Sequence, residues 1–222
     1  MIKVENLSIL YRVNGREFLG LKNFSGEFME GEIGVIFGPS GSGKTSLLLS
    51  IGTLLRPAEG RVLYDGVDVY SLLEKKVREL RKNLGISFQE PTFVNVLSVW
   101  ENIELGLYAS GRLNEEFKKR ARELAETLGI AQILNKKPNE ISGGEARRAA
   151  IVRALAHDPR TILLDEPTAY LDAGSAEKLI EILREERERG KILILTTHDP
   201  VLEKVADRRF TLQYGMPVGT ET

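Results

Sequence analysis

Gly38-Pro39-Ser40-Gly41-Ser42-Gly43-Lys44-Thr45 fits the pattern G-x-x-x-x-G-K-[ST]. Glycines at such positions let the backbone curl so that successive N–H groups point at one anion. A helix starting where the loop ends adds the positive end of its dipole. Lys44 supplies a cation for β- and γ-phosphates, and the Thr45 hydroxyl can sit on Mg²⁺. The context agrees, because Gly34 to Phe37 reads as a short strand and Thr45 to Ser50 as the opening of a helix. The competing reading is a plain glycine-rich turn before a helix. The pattern implies a site for a nucleoside triphosphate, with Gly38 to Thr45 and the adjoining Ser46 around its phosphates.

A second candidate lies at Thr161-Ile162-Leu163-Leu164-Asp165-Glu166, an apolar strand ending in two adjacent carboxylates. Ligands of parallel sheets sit at such strand ends. Asp165 is expected to hold Mg²⁺, directly or through water. Glu166, turned the other way by strand alternation, is expected to polarise the attacking water. The third is Ile141-Ser142-Gly143-Gly144-Glu145. Ser142 can cap a helix and Glu145 can close a capping box. The two glycines weaken a first turn, so capping leaves them unexplained; they suit backbone N–H groups that must approach an anion closely.

The elements that must hold these residues read β-rich at first: Ile2 to Asn6, Phe18 to Phe28, Gly34 to Phe37 and Arg61 to Tyr64 as strands, with a turn at Asp65-Gly66. Helical patterns follow the phosphate loop and recur over Ser71 to Lys82, before an apolar segment from Leu84 to Phe88. From Pro91 the character is helical. Ser98-Val99-Trp100-Glu101 has capping-box spacing, Asn114 to Leu128 is amphipathic, and a helix opens at Ser142 and runs to about His157. The remainder alternates: strand 161–165, helix 175–189, strand 191–197, then a short helix and a strand. This pattern predicts a mainly parallel, helix-covered sheet.

With 222 residues the chain can bury a full core. The net charge of -1 gives no argument for nucleic acid as a partner. The absence of cysteine excludes disulfides and thiolate metal sites. Apolar runs are too short to cross a bilayer and Met1 to Asn6 lacks the core of a signal peptide, so a cytoplasmic protein is expected.

Taken together, these motifs and their order resemble the ATP-binding cassette family over essentially all 222 residues. Its signature L-S-G-G-Q corresponds to Ile141 to Glu145, and Gln89 in Ile86-Ser87-Phe88-Gln89 to the family's loop glutamine. Asp165 and Glu166 match the metal-holding aspartate and catalytic glutamate, Leu171-Asp172 the loop that follows, and His198 the switch histidine. Tyr11 matches the aromatic that stacks on adenine. The resemblance implies an α/β fold: a P-loop NTPase core with an antiparallel β portion and an inserted α-helical subdomain. One nucleotide-binding domain, 1–222, would have its core at 1–88 and 160–222 and its helical subdomain at 89–159.

The resemblance further implies an ATPase that drives conformational change in separate membrane-spanning subunits. It would do so as a head-to-tail homodimer, or a pseudo-dimer with a related cassette. Catalysis would fall to Glu166, His198 and Lys44. Nucleotide would be held by Tyr11, Gly38 to Ser46 and Gln89, with Ser142, Gly143, Gly144 and Asp172 serving the composite site, and Mg²⁺ by Thr45, Gln89 and Asp165. The chain would lie on the inner face of the cell membrane through its partners. Glu145 in place of Gln is shared with the branch serving lipoprotein release and macrolide export, and Tyr170 departs from the small residue usual before Leu-Asp. A non-transport cassette regulating a membrane partner, of the cell-division type, is the alternative. Phe93, Val94, Val96 and Trp100 either line a groove for a membrane subunit or cap the helical core.

Overall fold

The computed structural model describes residues 1–221, so Thr222 of the expected 1–222 unit lies outside it. Two long strands open the chain, β1 (Ile2–Val13) and β2 (Arg16–Phe28), followed by β3 (Glu32–Phe37), which feeds the phosphate loop and α1 (Lys44–Ile51). Next come β4 (Glu59–Tyr64), β5 (Val67–Asp68), α2 (Glu74–Arg81) and β6 (Leu84–Ser87). Three helices follow: α3 (Val99–Ala109), α4 (Glu115–Thr127) and α5 (Gly143–Leu155). The chain then runs through β7 (Thr161–Asp165), α6 (Ala173–Glu188), β8 (Ile192–Thr197), β9 (Arg208–Gln213) and β10 (Met216–Glu221).

These strands make two sheets. One is antiparallel, in the order β2-β1-β4-β5. The other runs β10-β9-β3-β8-β7-β6 and is parallel except for β10 at its edge. Both faces of the parallel sheet are covered, which is why its central strands read as unbroken apolar runs. In β8, Ile192 and Ile194 face a core shared with α1 and the antiparallel sheet. Leu193 and Leu195, pointing the other way, join the core made with α3, α4, α5 and α6. Leu163 of β7 likewise faces the first core, and Ile162 and Leu164 the second. Helix α1 is therefore sandwiched between the sheets, and the phosphate loop is pinned at the carboxyl end of β3.

The expected P-loop architecture with an antiparallel portion and a helical portion is present. Its edges differ. The first strand continues to Val13, past Asn6, whose φ of 48° bends it. After Thr197 a 3₁₀ stretch, Pro200–Val205, leads into a hairpin of two strands where one was expected. No helix among the described residues is long and apolar enough to cross a membrane.

Candidate active site

The phosphate loop adopts a backbone that only glycine tolerates at two points. Gly38 has φ 157° and a Cβ there would lie 2.3 Å from the Leu212 carbonyl oxygen; Gly43 has φ 97° and a Cβ would lie 2.4 Å from the Gly20 oxygen. Gly43 then serves as the N-cap of α1 without a side chain in the way. Inside the curl, the Lys44 ammonium donates to the carbonyls of Gly38 (2.7 Å) and Pro39 (3.1 Å) and lies 3.3 Å from Glu166 Oε1. The Ser42 hydroxyl is buried there with no partner. An orphaned hydroxyl beside a buried cation at a helix N-terminus fits a phosphate group.

The acid pair converges on this loop. Asp165 Oδ2 accepts from the Thr45 hydroxyl at 2.8 Å, and its Oδ1 accepts from Thr196. Glu166 does not point away as strand alternation predicts. It follows the last residue of β7 with φ 50°, and that left-handed turn swings its carboxylate back beside Lys44. Its Oε2 accepts from the Thr197 hydroxyl and the His198 N–H, both at 3.2 Å, and lies 3.0 Å from His198 Nδ1. Both carboxylates are buried while the His198 side chain is 67% exposed. Thr196 and Thr197, which hold the two acids from the end of β8, went unnoticed in the sequence because threonines at a strand end look like ordinary β-formers.

A cleft of about 280 Å³ joins Tyr11, Ser40 to Ser46, Gln89, Glu166 and His198. The Tyr11 hydroxyl meets Ser46 Oγ at 2.8 Å, so β1 reaches the first turn of α1 directly. Thr45, Asp165 and Gln89 supply only oxygen donors suited to a hard cation. No group of three or more His, Cys, Asp or Glu stands ready to hold a metal among the described residues. Oxygen donors as few as Thr45, Asp165 and Gln89 fit a hard cation such as Mg²⁺, which takes few protein ligands and completes its shell from phosphate and water.

Ser142, Gly143, Gly144 and Asp172 are not among the residues lining this cleft. Ser142 is exposed at the start of α5, where its Oγ meets the Glu145 N–H at 3.3 Å and Glu145 Oε2 accepts from the Ser142 N–H and hydroxyl at 2.8 Å. Those bonds from Ser142, backbone first, hold the Glu145 carboxyl below its ordinary pKa. The charge of Glu145 thus turns onto its own helix. Asp172 caps α6 through the Ser175 N–H at 2.9 Å, and that bond lowers its pKa. A residue missed in the sequence is Arg147, fully buried beneath Gln89 and Asp165.

Of the four apolar residues expected at a groove, Phe93 and Val96 line an opening of about 500 Å³ together with Pro91, Lys137 and Pro138. Val94 and Trp100 are not among its walls. Phe93 and Trp100 pack partly against the helical core, under Arg153 and Arg122 respectively.

The family described as ABC transporter matches residues 21–169. A description as an AAA domain of a putative AbiEii toxin matches only 137–202. The chain is 37% identical to the uncharacterized ABC transporter ATP-binding protein MJ0796 of Methanocaldococcus jannaschii, over 97% of this chain and 94% of that protein. It is 40% identical, over 88% of its own length, to MacB of Campylobacter jejuni, described as a macrolide export ATP-binding/permease protein, but spans only 31% of that protein. A solved dimeric structure of MJ0796, a post-hydrolysis state bound to ADP and Pi, superposes with a TM-score of 0.93 at 35% identity, covering 100% of this chain and 98% of that one. This chain belongs to the ABC transporter family, as an ATP-binding cassette.

Proposed function

We propose that the chain is the ATP-hydrolysing subunit of a transporter, working as a head-to-tail dimer on the inner face of a membrane through separate membrane-spanning subunits. The observation that carries this reading is the arrangement around Glu166, whose carboxylate stands between the Lys44 ammonium and the His198 imidazole. Gly38 to Ser46 hold the phosphates, with Lys44 as their cation, and Tyr11 receives the adenine. Thr45, Asp165 and Gln89 hold Mg²⁺, which when bound spreads the charge of the phosphate oxygens. Glu166 orients the attacking water and takes its proton, and His198, hydrogen-bonded to Glu166, holds that carboxylate in place.

At the turn Ser142-Gly143-Gly144 the Ser142 N–H is taken by Glu145, while the N–H groups of Gly143 and Gly144 open α5 at the positive end of its dipole, outside the cleft of their own chain; the turn completes the site of a second subunit, with Asp172 beside that interface. This supports the homodimer, or a pseudo-dimer with a related cassette. The dimeric MJ0796 structure and the export role in the name MacB support the same assembly and the lipoprotein-release and macrolide-export branch. Residues 89–159 serve as the helical subdomain and 1–88 with 160–222 as the core.

Glu166→Gln is the direct test. Binding of ATP persists while turnover falls by about two to four orders of magnitude, the span of general-base catalysis, and an ATP-dependent dimer accumulates on a sizing column. Hydrolysis at the native rate would remove Glu166 from the role.

A further inference from the structure

Among the largest fully buried side chains of the described residues is a guanidinium, that of Arg147. It lies on α5, one turn beyond Gly143. Its Nη1 donates to the carbonyls of Phe88 and Gln89, the latter at 3.3 Å, and its Nη2 donates to the carbonyl of Asp165. Its partners are main-chain oxygens of two separate segments, the loop carrying Gln89 and the strand end carrying Asp165 and Glu166. Burial lowers the guanidinium pKa to about 10, against the opposing pull of the Asp165 and Glu166 charges. A core that needed only volume here would take Leu or Met, because a buried cation is costly unless its surroundings are built for it.

The same helix is tied elsewhere. Gly144 packs so closely that a Cβ would lie 2.8 Å from the Tyr170 carbonyl oxygen. Arg148 reaches the Ser175 hydroxyl at 3.3 Å. The first two turns of α5 are thus fastened to the Gln89 loop, to the strand of the acid pair and to the Leu171-Asp172 loop. Arg147 is about 6 Å along the helix axis from Gly143. A fully packed side chain cannot absorb a displacement of its helix by changing rotamer, so a shift of α5 is passed to both segments at once.

We propose that Arg147 is a positioning residue: engagement of the α5 N-terminus by the second subunit's nucleotide sets, through this guanidinium, the placement of Gln89 and Asp165-Glu166 in the subunit's own site. This rests on the reading that Ser142-Gly143-Gly144 completes a second subunit's site. The coupling is reciprocal between the two sites for binding. It makes ATP dependence cooperative, and it requires a planar fork with several donors, which a lysine cannot replace.

The test uses the full chain with Arg147→Gln and Arg147→Lys, measuring MgATP affinity, kcat, KM and the Hill coefficient. Affinity of the single subunit stays within about threefold while kcat falls about tenfold or more, because the interaction acts only once two subunits share their nucleotides. The Hill coefficient drops to 1, and Lys fails to restore it. Native kcat and cooperativity in Arg147→Gln would overturn the positioning role. So would loss of folding or of ATP binding in both variants, which would make Arg147 a core anchor alone. Glu166→Gln, with Arg147 intact, separates this from the underlying reading: failure of that protein to dimerise with ATP removes the shared site itself, whereas dimerisation with an unaffected Arg147→Gln removes only the coupling.

Discussion

Lys44 is committed on three sides, to the Gly38 and Pro39 carbonyls and to Glu166, and its side chain is only 6% exposed. The same contacts that hold the cation under the phosphates also give Glu166 its counter-charge, so Lys44→Ala removes two functions at once. A charge-assisted hydrogen bond is worth about 1.5–3 kcal/mol, so ATP affinity should fall roughly tenfold to a hundredfold. Calorimetric titration checks it, and unchanged affinity would take Lys44 out of the phosphate site. Each Glu166 oxygen meets a fixed donor: the Lys44 ammonium on one and the His198 N–H on the other, where the Thr197 hydroxyl and His198 Nδ1 also lie. In Glu166→Gln the new amide NH₂ must face one of them. The unliganded variant should therefore melt lower than the native chain by a few degrees, a mismatch of about 1–3 kcal/mol, and scanning calorimetry without nucleotide measures it.

At the scale of elements, α5 was the most legible and also the least. Ser142 and Glu145 show a capping box in the sequence, and the box is there with both bonds made. Arg147, one residue among several polar ones on that helix, carries no local signal; its burial arises from β6 and β7, which come together only in the folded sheet. Glu166 illustrates the opposite limit. Its position beside Asp165 is readable, but the φ of 50° that brings both carboxylates to one side is set by the chain beyond β7. The final hairpin was hidden because its turn places Tyr214 at φ 49° before Gly215 at φ 75°, where Asn or Asp would have announced it. The structure also sharpens which residue to change on the helical face. Phe93 is half-buried and stacked with Arg153, whereas Val96 is 77% exposed on the wall of the opening beside it. Val96→Asp should leave folding and ATP binding intact, since surface changes cost within about 0.5 kcal/mol. Recovery of the membrane subunit in co-purification should drop, and full recovery would remove this face from the docking surface.

For the whole molecule, the question is what holds the helical portion to the sheet. Part of the seam is ionic: Arg120 of α4 meets Glu186 of α6 at 2.6 Å, and Arg189 and Lys191 each reach Asp158 at 2.9 Å. Beside it, Arg112, from the segment between α3 and α4, donates to the carbonyls of His157 and Asp158. His157 follows α5, and its Nε2 lies 3.2 Å from the Leu84 oxygen of β6 while Nδ1 is buried without a partner. Burial, with Arg112 nearby, pushes its pKa from 6.5 down to about 4. Between pH 6.5 and 4 the unfolded chain takes up a proton at this histidine that the folded chain refuses, so its contribution to stability is complete above 6.5 and is lost progressively as pH falls. A shift of that size corresponds to about 3 kcal/mol. Carboxylates such as Glu145 and Asp172, held below their ordinary values, lose their contribution only at lower pH. His157→Gln keeps a donor for Leu84 but does not titrate. Denaturant unfolding of the two proteins at pH 7.5 and pH 5 should show the native chain losing more stability than the variant, by about 1–2 kcal/mol over that interval. Equal losses would mean that the seam opens to water around His157 and that the histidine is protonated in place.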